Sequence, residues 1–144
     1  MFKEHHITAV IPALNEAHSI HTVVQNLLQI HVEQRYVIDR VIVCNNGSTD
    51  QTAEVTLNAG ACVVDEPRKG YGAACLAAVN LIENELPTDI VLFLNADQSE
   101  DVSEMLSLLD PIVMGSYDLV IGSRLSELQE AGALSPLQTL VTTW

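Results

Sequence analysis

The sequence predicts an α/β fold, a mostly parallel sheet with helices on both faces. Three observations carry that expectation. Short unbroken apolar runs, Ile90–Leu94 and VIVC at 41–44, read as strands buried on both faces. Between such runs, apolar residues recur at helical spacing, as in Ile20, Val23, Val24, Leu27 and Leu28. Strand-like and helix-like stretches also alternate along the chain, the pattern of βαβ units.

The elements follow in order. Ile7–Ile11 is a strand that Pro12 should end, and Asn15 is placed to cap the helix after it. Val37–Cys44 contains a second strand. The loop 45–50 leads into a helix with Ser48 and Gln51 at capping-box spacing, closed by Gly60. Ala61–Val64 is a third strand, and a loop with Pro67 precedes an alanine-rich helix from about Gly72 to Asn84. Pro87 separates that helix from the strand at 90–94. Ser99–Asp101 should start another helix, which Pro111 should end, and Leu119–Ile121 reads as a fifth strand. The chain is expected to be one domain over 1–144, with 125–144 an irregular tail.

A chain of 144 residues is long enough to bury roughly 68–70% of its unfolded surface. Its 48% hydrophobic content suits a packed core. A net charge of −13 offers no basic stripe for nucleic acid or an anionic membrane. No apolar segment approaches the ~18 residues of a membrane span, and the N-terminus is not a convincing signal peptide. Cys44, Cys62 and Cys75 sit in apolar segments, so buried reduced thiols and a cytoplasmic location are expected. His18 and His21 read as a solvated helical face, and Glu100, Asp101 and Glu104 as a helix N-terminus.

Polar residues gather where strands end: Asn15-Glu16, Asn45-Asn46, Asp65 to Lys69, Asn95 to Asp97, and Ser123-Arg124. In open α/β sheets, ligands bind beyond the carboxyl ends of the strands. One crevice lined by all five is a simpler account than five separate turns. Dinucleotide binding does not fit, because Pro12-Ala13-Leu14-Asn15 stands where G-x-G-x-x-G would be. Gly70-Tyr71-Gly72 lacks a third glycine, no Walker lysine is present, and a receiver's paired acids are missing.

Residues AVIPALNEA at 9–17, VIVCNNGSTD at 41–50, RKGYGAACLAAV at 68–79, VLFLNADQSED at 91–101 and DLVIGSR at 118–124 occur in this order. Together they make the chain resemble the nucleotide-binding half of inverting GT-A glycosyltransferases of family 2. That family includes dolichyl-phosphate mannose synthases and bacterial polyprenyl-phosphate glycosyltransferases. The resemblance implies metal-assisted sugar transfer from a nucleotide-diphosphate sugar to an acceptor such as a polyprenyl phosphate. It implies that Pro12, Ala13, Asn15 and Glu16 border the nucleotide, Glu16 near the base or ribose. Asn45, Asn46 and Gly47 would meet the base, and Arg68, Gly70 and Gly72 the nucleotide and its phosphates. Asn95, Ala96 and Asp97 match the D-x-D motif, with Asp97 the ligand of Mg²⁺ or Mn²⁺. A metal acting as Lewis acid makes the diphosphate a better leaving group, and Arg68 could stabilise the departing charge.

Asn95 and Asn45 depart from the family, which usually has Asp at the first and commonly at the second. An amide keeps a carbonyl oxygen but not the negative charge, so metal affinity is expected to fall. The resemblance further implies an acceptor half beyond Arg124 carrying the general base, so no catalytic residue is named. After Ser135 to Gln138 the relatives continue with a Phe-Gly-Asn-like stretch. If Leu140 to Trp144 were encoded TTG GTA ACA ACT TGG after a T, a shifted frame would read Phe-Gly-Asn-Asn-Leu. A frameshift or similar truncation near Leu140 is therefore expected, with a deliberately shortened chain the competing explanation, and sequencing beyond Trp144 tests it. The alternative expectation is a truncated, inactive nucleotide-sugar-binding module, held in a homo-oligomer through its uncovered surface.

Overall fold

The computed structural model describes residues 2–85, 87–97 and 104–121. Two compact units divide the chain, Met1–Val102 and Ser103–Trp144. The first holds β1 (Ile7–Ala13), α1 (Ile20–Gln29), β2 (His31–Val32), β3 (Arg35–Tyr36), β4 (Arg40–Asn45), α2 (Thr52–Ala59), β5 (Cys62–Asp65), α3 (Tyr71–Glu85) and β6 (Ile90–Phe93). Of the second unit the described residues include one helix, α4 (Met105–Val113).

Strands β5, β4, β1 and β6, in that spatial order, make a parallel sheet, as the continuous apolar runs require. Side chains alternate between the two faces of each strand. Val10, Ile42 and Cys44 point to one face and pack on Ala74, Ala78 and Ile82 of α3. Ile7, Ile11, Val41 and Val43 alternate with these and are fully buried. They lie on the face where α1 and α2 pack together. Helices therefore cover both faces of the sheet.

The chain steps outward from β1 to β4 to β5, then returns through α3 to place β6 on the other side of β1. That reversal puts a switch point between β1 and β6, where α/β sheets open a crevice. Pro12 does not end β1, which runs on to Ala13. In a parallel strand, alternate residues hydrogen-bond to opposite neighbours. The Leu94 N–H donates to the Val10 carbonyl (3.0 Å), so even-numbered residues of β1 face β6. Pro12 would be the next donor towards β6 and has no N–H. Pairing with β6 accordingly stops at Val10–Phe93, while pairing with β4 continues to Ala13–Asn45. A single proline thus ends one ladder and spares the other.

Other expectations need correction. The helix after β1 begins at Ile20, and Asn15 sits four residues outside its N-cap, Ser19. Ser48 and Gln51 form no capping box, because Asp50 accepts from the N–H and hydroxyl of Thr52 instead. The hairpin of β2 and β3 went unforeseen because its turn, Glu33 and Gln34 at φ 51° and 65°, carries neither Gly nor Asn. Pro111 lies inside α4. Near a helix end it removes one hydrogen bond, and the Met114 N–H still reaches the Asp110 carbonyl (2.9 Å). Residues 119–121 form no strand, and Leu119 and Ile121 are exposed; among the described residues nothing pairs with them. Cys44 is buried, but Cys62 is exposed and Cys75 half-buried. The start expected at Ser99–Asp101, Ser123-Arg124 and the 125–144 tail lie outside the described residues.

Ala74 and Ala78 let α3 approach the sheet closely, since anything larger would meet Val10 and Ile42. Ala78→Leu is expected to cost about 1–3 kcal/mol through overpacking. Leu76→Ala on the exposed side of α3 should stay within about 0.5 kcal/mol. Urea midpoints of the two variants measure the contrast, and equal midpoints would contradict this packing.

Candidate functional site

Where the strands stop, their last backbone groups and those of the loops need partners. Side chains supply them, and in doing so tie four strand-end loops into one surface. Asn46 is central, buried and satisfied by three bonds. Its Nδ2 donates to the carbonyls of Glu66 (2.9 Å) and Arg68 (2.6 Å), and its Oδ1 accepts from the Gly70 N–H (3.0 Å). Its own N–H donates to the Ala13 carbonyl (2.9 Å). The amide expected at the base therefore has both side-chain donors committed to the loop after β5. Gly70 completes that loop at φ 121°, a conformation glycine alone adopts readily.

Asn15 adopts a left-handed conformation (φ 54°), which asparagine tolerates. Its Oδ1 accepts from the N–H of Thr49 (2.8 Å) and of Asp50 (3.3 Å), and its N–H donates to Ser48 Oγ (3.0 Å). The Glu16 N–H donates to Thr52 Oγ1 (3.0 Å) and that of Ala17 to Asp50 Oδ2 (3.2 Å). The hydrogen bond from the Thr52 hydroxyl, helped by backbone N–H groups, holds the Asp50 carboxyl below its ordinary range. The loops after β1 and β4 are thereby fixed to each other, and Gly47 turns the second of them at φ 81°.

Asn45 and Asp65 are partners in register at the ends of β4 and β5. Asn45 Nδ2 donates to Asp65 Oδ1 (2.9 Å), and its Oδ1 accepts from the Ser48 N–H (3.2 Å). Arg68 reaches the same edge already paired: Nε donates to Glu66 Oε1 (2.9 Å) and Nη2 to Oε2 (3.2 Å). That hydrogen bonding lowers the Glu66 carboxyl and raises the Arg68 guanidinium. Lys69 follows, and α3 begins at Tyr71, so its positive end and Gly72 in its first turn meet this edge.

On the fourth loop Asn95 is half-buried, Ala96 buried and Asp97 exposed. No three His, Cys, Asp or Glu side chains among the described residues cluster to cage a metal. The donor set nevertheless fits Mg²⁺ or Mn²⁺ as hard cations: one carboxylate and one amide oxygen, leaving coordination sites for waters and phosphate oxygens. A set without thiolate or imidazole does not suit softer ions.

Two residues of the site escaped the sequence reading. Ser19 sits at a helix N-cap, yet its hydroxyl makes no capping bond and instead reaches the Ala96 carbonyl (2.7 Å) and Glu16 Oε2 (3.0 Å). Asp50 was hidden by the stronger Ser48–Gln51 pattern. Its signal was the Asp-x-Thr spacing at Asp50 and Thr52. His18 is exposed, 3.7 Å from Glu16 Oε2, but lies in the turn before α1 and not on a helical face, because the helix starts only at Ile20. Burial pushes the Cys44 thiol up to about 11, as suits an inert core cysteine.

Comparison with known proteins bears on this edge. The model of the Glycosyl transferase family 2 matches residues 8–141. An uncharacterised glycosyltransferase of Mycobacterium tuberculosis is 37% identical over 118 residues, 82% of this chain and 48% of that protein. Protein RfbJ of Shigella flexneri is 30% identical over 125 residues, 86% of this chain and 89% of that protein. Glucosyl-3-phosphoglycerate synthase of M. tuberculosis, solved with Mn²⁺, UDP-glucose and phosphoglyceric acid, superposes with a TM-score of 0.62 at 29% identity. The superposition covers 78% of this chain and 40% of that one. The chain thus spans about half the length of the first of these relatives. Among the described residues the match takes in every helix and every strand, β1 from its second residue onward, not one loop: the chain belongs to glycosyl transferase family 2.

Proposed function

We propose that the carboxyl edge of this sheet holds the nucleotide diphosphate of a sugar donor and that the chain is the donor-binding part of a glycosyltransferase. The observation that carries the proposal is the set of hydrogen bonds that ties the four strand-end loops together: Asn15 to Ser48, Asn46 to Ala13 and the loop 66–70, and Ser19 to Glu16 and Ala96. Where amides and backbone interlock, on the β4 and β5 side, such an edge holds a ligand at little ordering cost. The structurally similar synthase that bound UDP-glucose with Mn²⁺ supports the ligand class.

The residues divide the ligand between them. The Asn45–Asp65 pair faces the base. A carboxylate oxygen accepts from a ring N–H, which uracil offers at N3 and guanine at N1. Cytosine N3 and adenine N1 present lone pairs there and would be repelled. Lys69, the Arg68–Glu66 pair and the first turn of α3 border the phosphates. Asp97, with the Asn95 carbonyl oxygen, would hold the divalent cation. When bound, that cation neutralises the diphosphate leaving group. Within this acidic chain, Asn15, Asn45 and Asn95 supply hydrogen bonds without adding negative charge near the phosphates.

Calorimetry with UDP and GDP in the presence of Mn²⁺ should show binding, with CDP and ADP at least about tenfold weaker, a gap of about 1.4 kcal/mol. If neither UDP nor GDP binds at millimolar concentration, the donor-site reading is wrong. Asp65→Asn should narrow the gap between UDP and CDP, because an amide can rotate to donate to cytosine N3. An unchanged ratio would remove Asp65 from base contact. Asn95→Asp should tighten Mn²⁺-dependent UDP or GDP binding by about tenfold through the added ligand charge. Unchanged affinity would place position 95 outside the metal shell.

A further inference from the structure

Ser19 presents a problem of proton arithmetic. Its hydroxyl carries one hydrogen, yet its oxygen lies 2.7 Å from the Ala96 carbonyl, 3.0 Å from Glu16 Oε2 and 3.4 Å from the Glu16 carbonyl. All three are acceptors. A hydroxyl satisfies one such partner fully, or shares its proton weakly among several. The residue is 4% exposed, so water has little access to complete the set. Its backbone is fixed as well, the N–H donating to the Glu16 carbonyl (3.1 Å) at the start of α1. The two chief competitors lie on different loops. Glu16 follows β1, and Ala96 follows β6 between Asn95 and Asp97. The hydroxyl therefore bridges the two sides of the switch point.

We propose that Ser19 is a positioning residue that makes nucleoside binding and cation binding interdependent. The inference rests on the donor-site reading above. Without a ligand, the Ser19 proton is divided between the Glu16 carboxylate and the Ala96 carbonyl. Asp65 takes the ring N–H on the base edge; in uridine the remaining donors are then the ribose hydroxyls, which guanosine shares, and Glu16 is the acceptor for the 2′- and 3′-hydroxyls. Once they satisfy the carboxylate, the Ser19 proton goes wholly to Ala96. A full hydrogen bond to that carbonyl holds Asn95 and Asp97 in one arrangement, ready for the cation. By linkage the effect is reciprocal: a cation that orders the loop draws the proton from Glu16 and frees it for ribose.

A nucleoside tests this, because without phosphates it has no direct bond to the metal. Free Mn²⁺ is followed by electron paramagnetic resonance in the full chain, with and without saturating uridine, and with guanosine in parallel. The expected result for the native protein is an Mn²⁺ affinity at least about fivefold higher with the nucleoside bound. Ser19→Ala should reduce that factor below about twofold, Ser19→Thr should retain most of it, and the matching 2′,3′-dideoxynucleoside should give none with the native protein. Equal coupling in Ser19→Ala, or full coupling by the dideoxynucleoside, overturns the proposal. The dideoxy comparison needs no variant, so it decides even if Ser19→Ala fails to fold. UDP or GDP binding without nucleoside–cation coupling sinks this inference alone, whereas absent UDP and GDP binding sinks the donor site with it.

Discussion

The buried amide of Asn46 is the interaction on which the carboxyl edge depends. It fixes the loop 66–70 by three bonds, and its own N–H extends the β1–β4 ladder past the last strand pair. Leaving any of these loop groups unpaired would cost about 1–3 kcal/mol each. Only an amide supplies two donors and an acceptor in that geometry. A carboxylate there would face the Glu66 and Arg68 carbonyls with no proton to give. This clamp places much of the surrounding edge: Glu66 and Arg68 next to each other, Gly70 turned into its glycine-only conformation, and the start of α3 aimed at the strand ends.

A second constraint works against closure. Pro12 withholds the donor that would carry the β1–β6 ladder further, so the two strands part where the topology reverses. The gap has to be spanned by side chains, and Ser19 spans it through the Ala96 carbonyl. The crevice is thus rigid on the β4 and β5 side, where amides and backbone interlock. It is looser on the β6 side, where one shared proton makes the link. A site that must take in and release a charged ligand with its cation benefits from that division. On the donor-site proposal, base and ribose would meet preformed groups, while the cation loop would respond to occupancy.

The fold was legible because burial on both faces leaves a direct trace, as VIVC at 41–44 does in β4; the run IVLF at 90–93 marked a strand as well, but β6 buries only Ile90 and Leu92, with Val91 half-buried and Phe93 exposed on its other face. Gly60 was legible too, its left-handed φ of 99° closing α2 as a helix-ending glycine should. Boundaries that depend on a partner were not. Whether Pro12 ends a strand depends on which neighbour its missing N–H would have faced, and that is a property of register. Asn15 looked like a helix cap because caps and loop braces use the same short polar side chains. Ser19 left no trace at all, since its partner lies 77 positions away in sequence. The crowding of polar residues at strand ends was visible, but not which of them are spent on the scaffold, as Asn46 is.

Those amides would also let so acidic a chain accept the proposed diphosphate. Two unit charges 4 Å apart interact by about 1 kcal/mol in bulk water and about 4 kcal/mol near a protein surface. A carboxylate at each of Asn15, Asn45 and Asn95 would add repulsion of that order wherever a phosphate came close, on top of a net charge of −13. Asparagine keeps the hydrogen-bonding shape of aspartate without the repulsion. The gain is reversed at Asn95, where a cation would welcome the extra charge. Position 95 therefore balances opposite demands, phosphate tolerance against metal affinity. With amides at these positions and the carboxylates of Asp50, Asp65 and Glu66 hydrogen-bonded within the scaffold, a cation at Asp97 would carry more of the work of holding the proposed diphosphate.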